Sequence, residues 1–332
     1  MVRGLTAHPR DTGSYREYSG AQAKGGRGVV ELVKWPTLKP LGSLSLLEMC
    51  ALSMNEKVCL VTGANSGIGR ETTLGLARLG GTVIMLARNL ERGAEAKDYV
   101  IRESGNSDID LMICDLSVRN EIERFSSEFT QKYARLDVLV NNAGAVFSKR
   151  QLTQDRFENT LAVNYLAPFL LTDKLLPLLR KSAPSRVVNL TSGLHSRGRV
   201  DLDDLQSEKH YKSMDVYQNS KLMVLLFTYR LARDLEDTGV TVNAVSPGFV
   251  ATNLGRNSGS RMSKIMFGMM KPFQLSPTEG AKTSIYVASS PELEGVTGKH
   301  FAKSQLKESA AISHDKALQD ALWEKTQEML NL

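Results

Sequence analysis

The sequence predicts an α/β fold in which a doubly wound parallel sheet carries helices on both faces. Two observations lead there. From Lys57 onward, short β-branched runs alternate with longer amphipathic ones, the signature of repeated right-handed β-α-β crossovers. The first run, Val58-Cys59-Leu60-Val61, also passes straight into a glycine-rich turn, Thr62-Gly63-Ala64-Asn65-Ser66-Gly67-Ile68-Gly69, that opens a helix. A strand, a glycine turn and a helix in that order make a phosphate-binding unit.

Apolar runs with β-branched content predict strands over 58–62, 82–87, 108–114, 136–141, 186–192 and 240–245, with a weaker one near 299–301. The amphipathic stretches between them predict helices over 67–79, 90–103, 118–133, 154–179, 211–237 and 277–288. No internal repeat and no boundary after residue 54 interrupts the alternation. One domain is therefore expected over 54–332, with a cofactor half at about 54–192 and a catalytic and substrate half at about 193–332. Residues 1–53 are rich in Gly, Ser, Arg and Tyr with no sustained period. A poorly ordered arm is favoured there over a targeting segment, since Asp11, Glu17 and Glu31 are unlike an acid-poor transit peptide. An upstream extension of a chain that begins functionally near Met54 is the third reading.

The charge balance is +6, and residues 1–53 hold seven Lys/Arg against four Asp/Glu. The small remainder argues against a nucleic-acid partner. Cys50, Cys59 and Cys114 form no CxxC pair, and the five histidines show no ligand spacing. Reduced thiols, no metal and a cytoplasmic location are the expectation. The apolar stretch 41–54 is too short to span a bilayer and carries Glu48.

Each glycine of the turn has a distinct use. Gly63 permits the tight turn, Gly67 lets backbone approach a pyrophosphate, and Gly69 lets the helix pack close to the strand. Asn65, Ser66 and Ile68 complete the cradle. The second strand ends at Ala87-Arg88-Asn89, with no carboxylate to accept from a ribose 2′-OH and with a guanidinium suited to a 2′-phosphate. NADP(H) is therefore expected over NAD(H), unless Arg88 is only a solvated surface side chain. Asp115 and Leu116 close the third strand, where the carboxylate either accepts from an adenine amino group or caps the next helix. Asn142, Ala143 and Gly144 close the fourth with small residues that let backbone pass near a cofactor.

Tyr217 and Lys221 share a helix face at i, i+4. A nearby ammonium favours the phenolate, so the Tyr217 pKa is expected to fall. Together with the glycine turn, Asp115, Asn141-Asn142-Ala143-Gly144, Asn164, Ser192 and Pro247-Gly248, the pair resembles the short-chain dehydrogenase/reductase family from about residue 55 to the C-terminus. Leu86-Ala87-Arg88-Asn89, Ser192-Gly193-Leu194-His195 and the long 196–214 segment resemble its retinol dehydrogenase branch.

The resemblance implies a Rossmann-type fold and a set of roles. Tyr217 is then the general acid in carbonyl reduction and the base in alcohol oxidation. Lys221 lowers the Tyr217 pKa and binds the nicotinamide ribose, and Ser192 holds the substrate oxygen. Thr191 stands beside Ser192 and competes for that assignment; the family's usual Ser-Ser pair favours Ser192. Asn164 breaks a helix locally and holds a water that relays protons to Lys221. Pro247 and Gly248 contact the nicotinamide, and Thr252 bonds its carboxamide. The resemblance further implies a homo-oligomer through the helices at 154–179 and 211–237.

The 196–214 insert is polar through Asp201, Asp203, Asp204, Glu208 and Lys209, and reads as an exposed loop near the pocket. Residues 254–273 mix Met262, Ile265, Met266, Phe267, Met269 and Met270 with basic residues. A lid over a lipophilic substrate, a core helix and a peripheral membrane contact all fit that composition. The expected activity is interconversion of an alcohol with an aldehyde or ketone on a lipophilic, retinal-like molecule. A non-catalytic nucleotide sensor on the same fold is the rival.

Overall fold

A computed structural model of the chain describes residues 54–250 and 274–332. The N-terminal extension, Thr252 and the Met-rich 254–273 segment lie outside the described residues. Strands β1 (Val58–Thr62), β2 (Thr82–Ala87), β3 (Ile109–Ile113) and β4 (Val138–Asn141) alternate with helices α1 (Gly67–Arg78), α2 (Leu90–Ser104) and α3 (Arg119–Lys132). Helix α4 (Ala167–Lys181), β5 (Ser185–Leu190), α5 (Ser213–Asp234), β6 (Val240–Ser246), α6 (Pro277–Ser289), β7 (His300–Ala302), β8 (Gln305–Leu306) and α7 (Lys316–Leu330) follow. The sheet order is β3-β2-β1-β4-β5-β6-β7-β8, parallel up to β7, with β8 antiparallel at the edge. The order reverses between β1 and β4, so a crevice opens at their carboxyl ends, the place where such sheets bind ligands.

Alternation along β1 explains the two cores. Leu60 faces a cluster with Phe125, Phe169, Leu222 and Leu322. Cys59 and Val61 face another with Leu74, Val100 and Ile285. Both described thiols are buried, as their apolar runs predict, and burial pushes Cys114 up to about 12; neither is a nucleophile at neutral pH.

Two expectations are corrected. The single helix expected over 154–179 is a short helical turn at Asn159–Leu161, a π-helical stretch at Ala162–Leu166, and then α4. The buried Glu158 carboxylate sets its start, accepting from Thr160 N and Leu161 N at 2.9 and 2.7 Å. The 196–214 insert is the largely exposed loop expected, without helix or strand over 198–212, and it is tethered beside the cleft. Arg150 donates to the Gln206 carbonyl and the Glu208 carboxylate, and the Tyr211 hydroxyl donates to the Phe147 carbonyl at 2.9 Å.

The second correction concerns α7, a helix the strand–helix pattern did not predict. It lies across α4 and α5. Trp323 packs 4.6 Å from Phe169 and 6.0 Å from Phe227, and Thr326 hydrogen-bonds the buried Tyr165 hydroxyl at 2.7 Å. Residues 220–229 of α5 are all buried within one chain. The chain's own last helix thus covers part of the apolar surface of α4 and α5.

Candidate functional site

The crevice at the carboxyl ends of β1, β4 and β5 is a cleft of about 320 Å³. One end is the glycine turn. Gly63 and Gly67 hold φ of +64° and +56°, the left-handed region that glycine enters freely. A Cβ on Gly69 would lie 2.3 Å from the Gly63 carbonyl oxygen and 2.4 Å from Asn142 Nδ2, so that helix–turn contact excludes any side chain. Helix α1 has no acidic residue in its first turn and no side-chain cap from Ser66. Its first N–H groups remain available to an anion, and the macrodipole favours one there. Asn65, Ser66, Gly67 and Ile68 line this end of the cleft.

Thr62, at the end of β1, ties the turn to the fourth strand. Its hydroxyl oxygen accepts from Asn142 N and Ala143 N, each at 2.9 Å, while Asn142 Nδ2 donates to the Thr62 carbonyl at 2.7 Å. Asn142, Ala143 and Gly144 are thereby held against the cleft, which they line. Beneath them Asn141 Nδ2 donates to Asn189 Oδ1 at 2.8 Å, and Asn189 Nδ2 to the Thr228 hydroxyl at 3.0 Å. This buried chain of amides fastens β4, β5 and α5 together below the reacting groups.

Arg88, Asp115 and Leu116 line the cleft beside the turn. The Arg88 side chain is 70% exposed and sits 3.9 Å from Asp115 Oδ2. The helix-capping role considered for Asp115 is not the one it has. The cap of α3 is Val118, and Asp115 Oδ1 accepts instead from Ser117 N and the Ser117 hydroxyl at 2.9 and 2.7 Å. That local turn spends one carboxylate oxygen and leaves the other beside Arg88.

The opposite end is built from β5 and α5. Ser192 Oγ accepts from Leu194 N at 3.2 Å, which leaves the hydroxyl proton free to donate. Thr191 is committed elsewhere, since its buried hydroxyl donates to the Lys221 carbonyl at 2.7 Å; of the two, Ser192 is the one available to a ligand. Tyr217 is 8% exposed. Burial holds its phenol above the ordinary value, against a hydrogen bond with the Ser192 side chain that pulls it down. The fall expected from Lys221 is not seen in the chain alone, where desolvation of the phenolate outweighs the Ser192 contact. Lys221 is itself buried, which lowers its pKa to about 8. Its Nζ donates to the Leu190 carbonyl at 2.9 Å.

Asn164 sits in the π-helical stretch, so the expected local break is present. Its amide is held by Ala145, accepting from Ala145 N at 2.7 Å and donating to the Ala145 carbonyl at 3.0 Å. A second donation reaches Ser220 Oγ at 3.0 Å. Both Lys221 Nζ and Asn164 Oδ1 approach Gly144, at 3.4 and 3.5 Å from where its Cβ would stand. Pro247 lines the cleft, and Gly248 follows it with φ +87°. The expectation missed Thr62, Leu190 and Ala145, whose backbone or hydroxyl groups position the named residues; only Thr62, at the head of the glycine motif, had a local signal.

A glycine cradle that fits a dinucleotide phosphate shares one cleft with Tyr217 and Lys221, with Ser192 beside the Tyr217 phenol, an arrangement suited to a nucleotide-dependent oxidoreductase. The short chain dehydrogenase family model matches residues 57–263, and the chain belongs to that family. Its branch is that of the retinol dehydrogenases. Human retinol dehydrogenase 14 is 42% identical over 84% of this chain and 88% of its own length. Human retinol dehydrogenase 13 is 38% identical over 83% and 85%. Among solved structures, an uncharacterized protein from Mycobacterium paratuberculosis aligns with a TM-score of 0.69 and 29% identity, over 84% of this chain and 95% of its own. The NADP complex of RhlG from Pseudomonas aeruginosa aligns at 0.61 and 26%, over 76% and 96%.

Proposed function

We propose that the protein is an NADP(H)-dependent oxidoreductase that interconverts an alcohol with its aldehyde or ketone on a small lipophilic, retinal-like substrate. The observation that carries this is that Tyr217 and Lys221 line the same cleft as the glycine turn and Arg88.

The bound cofactor would supply the hydride in reduction and accept it in oxidation. Ser192, with its oxygen engaged by Leu194 N, donates its proton to the substrate oxygen and holds it beside Tyr217. A phenol kept protonated by burial is suited to give its proton to that oxygen as the alcohol forms; in the reverse direction it takes the proton back. Lys221, with its pKa lowered to about 8, carries a proton that can be exchanged near neutral pH and restores the phenol. Asn164 holds the Ala145 backbone beside that ammonium, where a relay water would sit.

Arg88 and the missing carboxylate at Ala87 support the 2′-phosphate cofactor. Phe147, Val163 and Leu190 line the cleft, and Phe249 and Leu275 add exposed apolar surface next to Gly248. Apolar walls with few polar groups fit a lipophilic substrate, and the relatives' names point to the retinoid class. Reduction is the direction favoured in cells, where the NADPH pool is kept reduced.

The test is nicotinamide absorbance with a panel of retinal-like and other lipophilic aldehydes and ketones, comparing NADPH with NADH and wild type with Tyr217→Phe. NADPH-dependent turnover that disappears in the variant is expected. Cofactor binding without turnover across the panel would transfer the protein to the nucleotide-sensing reading.

A further inference from the structure

His195 is 4% exposed and in contact with Ser192. It belongs to the 3-10 turn Gly193–Arg197, which starts from Ser192 as its cap. His195 Nδ1 lies 2.6 Å from the Ser192 carbonyl oxygen, which also accepts from His195 N at 3.0 Å. His195 Nε2 lies 3.2 Å from Ala310 N.

These partners determine the tautomer. A backbone N–H can only donate, so Nε2 must be the bare acceptor; the proton then sits on Nδ1 and is donated to the Ser192 carbonyl. A neutral ring is required, and burial lowers the His195 pKa in keeping with that. His300, with its ring centre 5.2 Å away, repeats the pattern. Its Nδ1 faces the Lys307 carbonyl at 3.0 Å and its Nε2 the Ser246 hydroxyl at 2.9 Å. Ser246 immediately precedes Pro247 and Gly248.

We propose that His195 is a positioning residue for Ser192: its Nδ1–H fixes the Ser192 carbonyl and so sets where the Ser192 hydroxyl meets the substrate oxygen. Ser192 is held at both oxygens, its carbonyl by His195 and its Oγ by Leu194 N, so one rotational freedom remains and it is that of the hydroxyl proton. The far side of the ring is braced by Ala310, more than a hundred residues further along the chain. His195 touches neither substrate nor cofactor in this scheme and acts through Ser192 alone. The inference rests on the reductase reading above only for its kinetic consequences; the tautomer and the contact stand apart from it.

The experiment compares His195→Ala, His195→Asn and His195→Gln, each also placed in a Ser192→Ala background. The Asn amide nitrogen falls near the position of Nδ1 and the Gln amide near that of Nε2. His195→Ala and His195→Gln should lower kcat about tenfold or more, the scale of a small displacement in a reacting geometry, with cofactor Kd and KM unchanged. His195→Asn should restore kcat to within about threefold of wild type. In Ser192→Ala the three substitutions should change kcat by less than about twofold, because a residue acting through Ser192 has nothing left to position. Equal losses in both backgrounds would overturn the proposal, as would an Asn variant no better than Ala. Imidazole 15N shifts of the wild type provide a readout independent of turnover: an Nδ1–H tautomer is expected, and an Nε2–H tautomer would refute the contact even in a protein that turned over no substrate. Absence of turnover in the wild type, with the Nδ1–H tautomer present, would count against the reductase reading and not against His195.

Discussion

Lys221 Nζ lies 5.8 Å from the centre of the Tyr217 ring, and the same ammonium donates to the Leu190 carbonyl at the end of β5. The two titratable groups of the site are thus desolvated together, and burial moves them in opposite directions, the phenol up and the ammonium down. Each is pushed toward its neutral form. An incoming substrate oxygen and a bound cofactor therefore meet a site already poised to exchange one proton near neutral pH.

A linkage experiment reads this arrangement directly. The folded Lys221 loses its proton near pH 8, whereas an unfolded lysine holds it until about 10.5. Between those values the unfolded state binds more protons, so stability from this group rises with pH across that window. Chemical unfolding at pH 7, 8.5 and 10 should show wild type gaining on Lys221→Met as pH increases. A constant difference would mean that Lys221 is not the buried cation described here. Turnover in Lys221→Met should fall about 100-fold or more.

Tyr217→Phe removes one oxygen from a buried ring and leaves its packing in place. Turnover should fall by roughly 10²–10⁴, the usual worth of a positioned acid–base group, with cofactor binding and melting temperature near those of wild type. Loss of cofactor binding as well would assign the phenol a structural part.

The cradle predicts a steric result. Gly69→Ala forces a Cβ into the Gly63 carbonyl and Asn142, and should cost about 1–3 kcal/mol while raising the NADPH Kd at least tenfold. Gly193→Ala meets no atom within 4 Å and should stay within about 0.5 kcal/mol of wild type. Parallel melting curves and cofactor titrations of the two variants make the comparison.

Arg88 discriminates between the two nicotinamide cofactors in the proposed reading. Its side chain is mostly exposed, and its pairing with Asp115 is long at 3.9 Å, so Arg88→Ala should change stability little. Removing a charge-assisted phosphate contact should nevertheless raise the NADPH Kd by about 10- to 100-fold and leave the NADH Kd nearly unchanged. Equal effects on both cofactors would mean that Arg88 does not meet the 2′-phosphate.

These tests address features of unequal legibility. The bounds of β1 and β2 follow from their apolar runs, since a strand buried on both faces has nowhere for a polar residue. The glycine turn was equally plain, because φ and close approach at Gly63 and Gly69 admit only one residue type. The π-helical stretch at Ala162–Leu166 was not, as five residues are too few to separate its period from that of an α-helix. The rise of the Tyr217 pKa is not legible either, because a sequence places Lys221 near the phenol without showing how deeply that phenol is buried. His195 had no local signal at all; what buries and orients it comes from His300 and Ala310. For α7 a signal did exist in Leu318, Leu322, Trp323, Thr326 and Leu330 at helical spacing after the Asp315 cap.

That last helix carries a prediction about assembly. In a chain without α7, Phe169, Phe227 and the Tyr165 hydroxyl would lose Trp323 and Thr326, leaving an apolar face of the kind that drives self-association. With α7 in place, Arg230 and Arg233 bind Asp320 and close the polar edge of the contact. Trp323→Ala should cost about 2 kcal/mol, below the range for a fully buried tryptophan because Trp323 is only partly covered. In the full chain, hydrogen exchange of Ser213–Asp234 should be independent of protein concentration, whatever oligomer light scattering reports. Trp323→Asp should make the same amides exchange faster on dilution and associate on concentration. If dilution of the wild type itself unprotects that helix, a second copy and not α7 is its principal cover, and the interface implied by the family resemblance is supported.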